Sequence, residues 1–402
     1  MEKVSFFETH RRFEISEIGA YQVQVSAKTT WVLIRLTFLS GAEGWGEASY
    51  FGAEQELGNL ALRLQSSLRD AQARDLADLA SRVRQTDMGG ARGVFVSALE
   101  QAWMDGLGQM SAAPLHCLLG GAERRDIPFY ANINRGINDR SPEGFADQAE
   151  HILALTGAHA LKIAPFDGLR WDRTSLAQQT KLIDLGLQRV AAVKARLQEG
   201  QRLLVDCHAR FNPFLAEPLF RELGALGVFW VEEPCAMALL SAPEQRSLRS
   251  AANASGLMLA GAETVTRLEE MAEVLSCEGH DVVLPDLRMT GIANGIAMLR
   301  LASARQVATS LHNPVGPVLD AISTQVGAAL PSFLILERQV GESPKFDEIR
   351  NTPVECVDGA VRVSDAPGLG FVPERAALED LEAIGGSDAL SFSGMSGAGP
   401  DA

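Results

Sequence analysis

The chain has 402 residues, a formal net charge of −15 and 46% hydrophobic residues. This length exceeds what one small core needs and predicts two domains, or one barrel with an appendage. The acidic excess argues against nucleic acid and anionic membranes as partners. It leaves an anionic small molecule open, because a bound metal and a few basic side chains would set the local field.

The chain shows no targeting or membrane signal. Residues 1–16 carry charges and lack the apolar core of a signal peptide, and no run approaches the ~18 apolar residues of a membrane helix. The five cysteines are scattered without a C-x-x-C pair. We therefore expect reduced thiols in a cytoplasmic protein, and neither a disulfide framework nor a zinc site.

The first 125 residues form an α+β pattern. Residues 31–39 and 45–48 are strand-prone and flank a glycine-containing turn, which predicts a hairpin. Helical patterns follow over residues 55–84 and 94–110. We predict a separate N-terminal α+β domain over residues 1–125.

From residue 126 to about residue 345, short strands alternate with amphipathic helices. Residues 161–163 are typical of the strands and residues 175–197 of the helices. This alternation predicts a (β/α)8-type barrel. Residues 346–384 do not continue the strand–helix alternation and are expected to complete the first domain. The Gly/Ser-rich residues 385–402 are expected to be a disordered tail.

Polar side chains follow successive apolar stretches at intervals of about 23 to 31 residues, the length of one strand–helix unit. Because all strands of a parallel barrel end at one mouth, these side chains are expected to converge there. Carboxylates from three successive strands suit Mg²⁺, and a later His and Asp suit acid–base work. The residues are Asp206, Glu232, Glu263, Asp286, His312 and Glu337.

Short motifs spread along the chain resemble one protein family. In order and spacing, they resemble the mandelate racemase-like subgroup of the enolase superfamily over nearly the whole length. The strings are GWGE (44–47), SALEQAWMDGLG (97–108), LLGG (118–121), VD (205–206), WVEEP (230–234), PD (285–286), SLH (310–312) and LER (336–338).

The resemblance implies a modified TIM barrel with an N-terminal α+β capping domain. It leaves the strand count and order of the barrel open. Capping-domain loops would close over the barrel mouth and set specificity, with residues 19–28 and 49–52 as candidates. The resemblance also implies a homo-oligomer, either a dimer or an octamer.

The resemblance implies a Mg²⁺ enzyme that removes the proton alpha to a carboxylate and stabilises the resulting enediolate. By position, the metal ligands are Asp206, Glu232 and Glu263. His312 and Asp286 match the family's dyad, in which the carboxylate makes the imidazole a stronger base.

Glu337 matches the family position that hydrogen-bonds the substrate carboxylate. That role needs a protonated acid and therefore a raised pKa. The alternative is an ion pair with Arg338 or another arginine.

One departure from the family concerns the second barrel strand. Members with two opposed bases carry Lys-x-Lys there, whereas this chain has Lys162 followed by Ala164. Ala cannot move a proton, so two-base racemisation is disfavoured. Lys162 is expected to assist the substrate carboxylate electrostatically, the alternative being a surface lysine.

A second departure is the string Asp206-Cys207-His208-Ala209-Arg210. It resembles the Asp-x-His-x-Arg string of galactonate dehydratases, which also lack the second lysine. Two residues apart on an extended chain point the same way, so His208 would face the substrate and protonate its departing hydroxyl. Arg210 would contact the distal end of the substrate. The alternative is that His208 only hydrogen-bonds the substrate or a loop.

These observations favour a Mg²⁺-dependent dehydratase of an aldonate or aldarate, giving a 2-keto-3-deoxy acid. The first alternative is an epimerase, racemase or cycloisomerase of the same superfamily acting on a hydroxy or amino acid. It would need a second base that the sequence does not reveal. The second alternative is a catalytically silent metal-binding protein.

Overall fold

The computed structural model describes residues 13–27, 29–70, 75–84 and 90–381. The predicted tail over residues 385–402 lies outside the described residues. Within these ranges, no helix combines the length and the apolar character needed to cross a bilayer. All five cysteines fall in the described ranges, and none is in a disulfide.

The N-terminal region is a twisted antiparallel sheet covered by helices. Alternate residues of its central strand face opposite sides, as the two-residue strand period requires. Val32 and Ile34 pack against the helices, whereas Trp31 and Leu33 join the core shared with the barrel. The elements are β1 (Ile15–Gln24), β2 (Thr30–Phe38), β3 (Glu43–Glu47), α1 (Glu54–Asp70), α2 (Leu76–Arg84) and α3 (Ala91–Ser111).

Two glycines of the GWGE string allow β3 to lie directly on α3. A Cβ at Gly44 would come within 2.0 Å of the Ala102 carbonyl oxygen, and one at Gly46 within 2.0 Å of the Ala98 carbonyl oxygen. A capping loop was predicted over residues 19–28. Its first part is not a loop, because residues 19–24 belong to β1. A ladder with β2 binds that segment into the sheet.

The second region is a closed barrel of eight parallel strands in sequential order, sealed where β11 pairs with β4. This confirms the predicted fold class and gives the strand order that the sequence left open. The strands are β4 (Asp126–Asn132), β5 (Ala160–Ile163), β6 (Arg202–Asp206), β7 (Trp230–Glu232), β8 (Met258–Gly261), β9 (Val282–Val283), β10 (Ala308–Leu311) and β11 (Phe333–Gln339).

Helices connect the barrel strands and pack around them. The clearest start signal is a capping box in which the Ser175 hydroxyl and the Gln178 side chain exchange hydrogen bonds with each other's backbone N–H. In order, the helices from the first domain onward are α4 (Leu115–Leu118), α5 (Pro142–Thr156), α6 (Leu176–Lys194), α7 (Pro213–Ala225), α8 (Ala242–Ala254), α9 (Leu268–Cys277), α10 (Leu287–Thr290), α11 (Ile292–Ala304), α12 (Pro317–Ala328) and α13 (Lys345–Arg350).

The C-terminal segment contacts both regions. Strands β12 (Cys356–Val357) and β13 (Ala360–Arg362) extend the barrel sheet, where β13 pairs antiparallel with β4. Strand β14 (Glu379–Asp380) instead pairs with β1 of the capping sheet. The domain division at residues 125, 345 and 384 stays a prediction.

Candidate active site

The predicted polar residues end successive barrel strands at one mouth. Asp206 and Glu232 close β6 and β7 and are direct neighbours in the ladder. Asp286 and His312 pair across the ends of β9 and β10. Asp206, Glu232, Asp286 and Glu337 are at most 4% exposed. These four carboxyl groups are therefore buried in the barrel mouth rather than solvated at strand ends.

Lys162 lies among these carboxylates with 1% of its surface exposed, so the surface-lysine alternative is wrong. Its Nζ is 2.6 Å from Glu232 Oε1, 3.0 Å from Glu337 Oε1 and 4.0 Å from Asp206 Oδ2. Burial alone would lower the pKa of Lys162, but the negative charges of Glu232 and Glu337 outweigh it and raise that pKa well above its usual value. The ammonium group is therefore a fixed positive charge at the mouth.

The pKa of Glu337 is shifted in the direction opposite to the one expected. Burial would raise its pKa, but Lys162 and His312 lower it below the ordinary value. The carboxylate also accepts hydrogen bonds from Asn132 Nδ2 at 2.7 Å and from the Asn313 N–H at 3.0 Å. These donors favour the ionised form rather than the protonated acid that was expected. The alternative pairing with Arg338 is also wrong, since Arg338 binds Asp320.

The two residues of the predicted dyad lie within hydrogen-bonding distance of each other. His312 Nδ1 lies 3.0 Å from Asp286 Oδ2, and His312 Nε2 lies 3.4 Å from Glu263 Oε2. Burial would lower the pKa of His312, but Glu263, Glu337 and the bond to Asp286 raise it to about 9. Arg288 and His312 hold the pKa of Asp286 below its usual value against the effect of burial. The imidazole is thus oriented by a carboxylate that stays ionised.

His208 reaches the mouth by a different route from the one predicted. Strand β6 ends at Asp206, and His208 adopts a left-handed conformation with φ of 48°. The extended-chain argument is therefore wrong, yet the turn still places His208 Nε2 2.9 Å from Asp206 Oδ2. The charge of Asp206 raises the pKa of His208. An αL histidine is an unfavourable backbone choice that clusters at functional sites.

The loop after β6 is tied to the loop after β5. Arg210 is buried, and its Nη1 donates to the Phe166 carbonyl at 3.3 Å. Asp167, in the loop after β5, is bound by Arg140 at 2.7 Å and by Arg189 at 3.1 Å. The predicted contact of Arg210 with substrate stays a prediction.

The acids of the mouth have the donor chemistry that a hard divalent cation requires. Glu232 Oε2 and Glu263 Oε2 are buried and accept no hydrogen bond within the described residues, although His312 Nε2 lies 3.4 Å from the latter. In the same part of the chain, no three His, Cys, Asp or Glu side chains are already arranged to hold a metal ion. Lys162 contacts Glu232 Oε1, and the side chain and backbone N–H of His208 contact the two oxygens of Asp206. The two unpartnered oxygens fit a cation.

The neighbouring Glu233 stands apart from this set. Its Oε1 accepts the Ala262 N–H at 2.7 Å, and its φ is 39°. Burial, reinforced by Glu263, raises its pKa to about 8. No ion pair of Glu233 is found among the described residues.

Three residues at the mouth had no predicted role. Asn132 ends β4 and binds Glu337, and the strand-end rule that identified the acids would have found it. Glu47 lies in the GWGE string, and its carboxylate accepts the N–H groups of Gly316 and Leu319 at 2.7 Å and 3.0 Å. Arg288 binds Asp286 through a helical turn that the strand pattern did not reveal.

Curated relatives and solved structures resemble this chain over most of its length. A D-xylonate dehydratase from Haloferax volcanii is 25% identical over 92% of this chain and 89% of its own. A D-galactonate dehydratase from Xanthomonas euvesicatoria is 25% identical over 86% of this chain and 89% of its own. A mandelate racemase/muconate lactonizing enzyme from Jannaschia has the same fold, with a TM-score of 0.76 and 22% identity over 90% of this chain and 96% of its own.

Residues 144–377 match the family described as "Enolase C-terminal domain-like". This match covers more than half of the chain and all of the mouth residues from Lys162 to Glu337. The sequence resemblance is thereby confirmed. The chain belongs to the enolase C-terminal domain-like family of the enolase superfamily.

Proposed function

We propose that this protein is a Mg²⁺-dependent dehydratase of an aldonic or aldaric acid. The observation that carries the proposal is the pair of histidines at one mouth, each bound to its own aspartate, with Ala164 in place of a second lysine. The relatives named D-xylonate and D-galactonate dehydratase support the same reaction class.

Asp206, Glu232 and Glu263 would hold the Mg²⁺. When bound, the cation supplies concentrated positive charge for the oxyanion that develops as the alpha proton leaves. Lys162 adds a fixed positive charge beside the same carboxylates, which suits it to bind the carboxylate of the substrate. Asn132 and Asn313 hold Glu337 in place by hydrogen bonds to its two oxygens.

Two histidines divide the proton transfers. His312 Nε2 takes the C2 proton, while Asp286 holds Nδ1 and stabilises the imidazolium that forms. His208 gives its proton to the departing 3-OH, so the C3–O bond breaks and water leaves. The enol that remains tautomerises to the 2-keto-3-deoxy acid. The raised pKa of His208 keeps its proton available for this step.

The epimerase, racemase or cycloisomerase alternative is less favoured. Epimerisation needs a proton donor on the opposite face of C2, and the family position for that donor is Ala164. The relatives named above as dehydratases point the same way.

The proposed partner is a small carboxylic acid, with neither nucleic acid nor membrane as a partner. We also propose a cytoplasmic location, which the unpaired cysteines support. A homo-oligomer, either a dimer or an octamer, follows from family resemblance alone.

A stereochemically complete set of aldonic and aldaric acids, incubated with Mg²⁺, tests the proposal. The readout is 2-keto acid formation, with parallel samples in excess EDTA. We expect one acid, or a small group sharing C2 and C3 configuration, to be dehydrated only with the metal. If no acid yields product while hydroxy or amino acids exchange their alpha proton with solvent, the dehydratase proposal is wrong.

A further inference from the structure

Arg288 is bound to the aspartate of the dyad by two hydrogen bonds. Its backbone N–H donates to Asp286 Oδ1 and its Nη2 to Asp286 Oδ2, both at 2.8 Å. His312 Nδ1 lies 3.0 Å from that same Oδ2. The orientation of the Asp286 carboxylate, and therefore of the imidazole, depends on where the Arg288 guanidinium lies.

The other end of that guanidinium is bound to the capping domain. Arg288 Nη1 donates to the Ser49 carbonyl oxygen at 2.9 Å. Ser49 directly precedes Tyr50, Phe51 and Gly52 in the loop predicted to close over the mouth, where Phe51 is 67% exposed. One rigid planar group thus bridges this loop and the dyad.

The same capping segment also braces the second half of the dyad. Ser49 Oγ donates to Glu47 Oε1 at 2.8 Å, and the Glu47 carboxylate accepts the N–H groups of Gly316 and Leu319. Gly316 and Leu319 lie at the start of α12, directly after the segment that carries His312. Residues 47–49 therefore contact both barrel loops on which the dyad is built.

We propose that Arg288 is a positioning residue that couples the seating of capping residues 47–52 to the alignment of the His312–Asp286 dyad. This rests on the proposed function in one respect, which is that His312 is the base. A guanidinium suits the task because its planar fork can bind a carboxylate and a carbonyl in fixed directions at once. A lysine at this position could reach one of the two partners, but not both.

Hydrogen–deuterium exchange of the substrate-free protein tests the coupling without any activity. The variants are Arg288→Gln and Arg288→Lys. The matched control is Arg249→Gln, which removes an Arg–Asp pair of 2.7 Å at the opposite end of β9. We expect amides of residues 48–53 to exchange about fivefold faster or more in both Arg288 variants, through local opening, and at the wild-type rate in the control. Unchanged exchange in a folded Arg288 variant overturns the coupling.

Steady-state kinetics on the acid found by the substrate screen separates positioning from substrate binding. We expect kcat to fall about 10- to 100-fold in Arg288→Gln, since a misaligned base loses part of the ~10²–10⁴ that general-base catalysis contributes. KM should stay within about threefold, and Arg288→Lys should recover part of kcat. A rise in KM at unchanged kcat would instead make Arg288 a substrate ligand and overturn the proposal.

The two proposals fail in distinguishable ways. If wild-type protein dehydrates no acid, the proposed function is wrong and the exchange experiment still decides the coupling. Should Arg288→Gln not fold, as judged by its circular dichroism and melting, Arg288→Lys decides both readouts.

Discussion

The two histidines at the barrel mouth are held in different ways. His208 is bound to an aspartate two residues earlier on its own loop, through a turn in the left-handed region. His312 is bound to an aspartate on the neighbouring strand, and Arg288 fixes that aspartate from the other side. The His208 side chain is 34% exposed and that of His312 is 16% exposed.

This difference suits the two proposed tasks. A base must be aligned with one C–H bond, and a buried network that spans two strands and the capping domain gives such alignment. A general acid must stay in contact with the hydroxyl group while that group departs. A more exposed side chain on a single loop can move enough to do so. The His208–Asp206 pair forms between residues that are close in sequence. The His312–Asp286 pair forms only when the closed barrel brings two strands together.

The largest expected effect comes from replacing each histidine in turn. His312→Asn should lower both alpha-proton exchange and dehydration about 10³-fold or more, because both need the base. His208→Asn should lower dehydration to a similar extent and leave exchange within about tenfold, because only elimination needs the acid. Deuterium incorporation into recovered substrate, followed alongside 2-keto acid formation, measures the two steps. Loss of exchange in both variants would contradict the division of labour.

Much of this arrangement could be predicted from the sequence, because strand ends in a parallel barrel must meet. The mouth positions of Asp206, Glu232, Asp286 and Glu337 followed from spacing alone. The ionised state of Glu337 did not follow, since it depends on the distance to Lys162 and on the amide of Asn132. The left-handed backbone conformation of His208 could not be predicted either, because backbone strain at a non-glycine residue leaves no pattern in the sequence.

The second prediction concerns the carboxylate behind the base. Asp286→Asn preserves shape but puts an amide where His312 Nδ1 and Arg288 need an acceptor. We expect kcat for both exchange and dehydration to fall about 10³-fold, with the imidazole in the wrong tautomer or orientation. Melting temperature, measured in parallel, should fall as well, because Arg288 loses its buried carboxylate partner. A variant with near-normal kcat would show that His312 does not depend on this network.

The third prediction concerns Lys162, whose positive charge lies between the carboxylates of Glu232 and Glu337. Lys162→Met leaves Glu232 and Glu337 buried without their cation, and breaking a buried pair in this way costs about 3–5 kcal/mol. Urea unfolding of metal-free protein should show this loss. Added Mg²⁺ should restore part of it by binding the folded state, and should stabilise the variant more than wild type. Equal stability of variant and wild type without metal would contradict a charge role for Lys162.

The last prediction concerns His280, a buried histidine that has no carboxylate partner among the described residues, unlike His208 and His312. Neither of its ring nitrogens has a hydrogen-bond partner among the described residues, and burial lowers its pKa to about 4 from an ordinary value of 6.5. The unfolded chain therefore binds a proton at His280 that the folded protein does not. Stability from this residue is present above pH 6.5 and is lost as the pH falls towards 4, by about 3 kcal/mol at most.

A His280→Leu variant isolates that contribution from the carboxylates, which also titrate in acid. Because one proton separates the two states, the free energy of unfolding of wild type should fall between pH 6.5 and 4 more steeply than that of the variant, by up to about 1.4 kcal/mol per pH unit. Urea unfolding at several pH values measures both slopes. Above pH 7 the difference in stability between the two proteins should no longer change with pH. Parallel slopes throughout would mean that the folded protein protonates His280 as readily as the unfolded chain does.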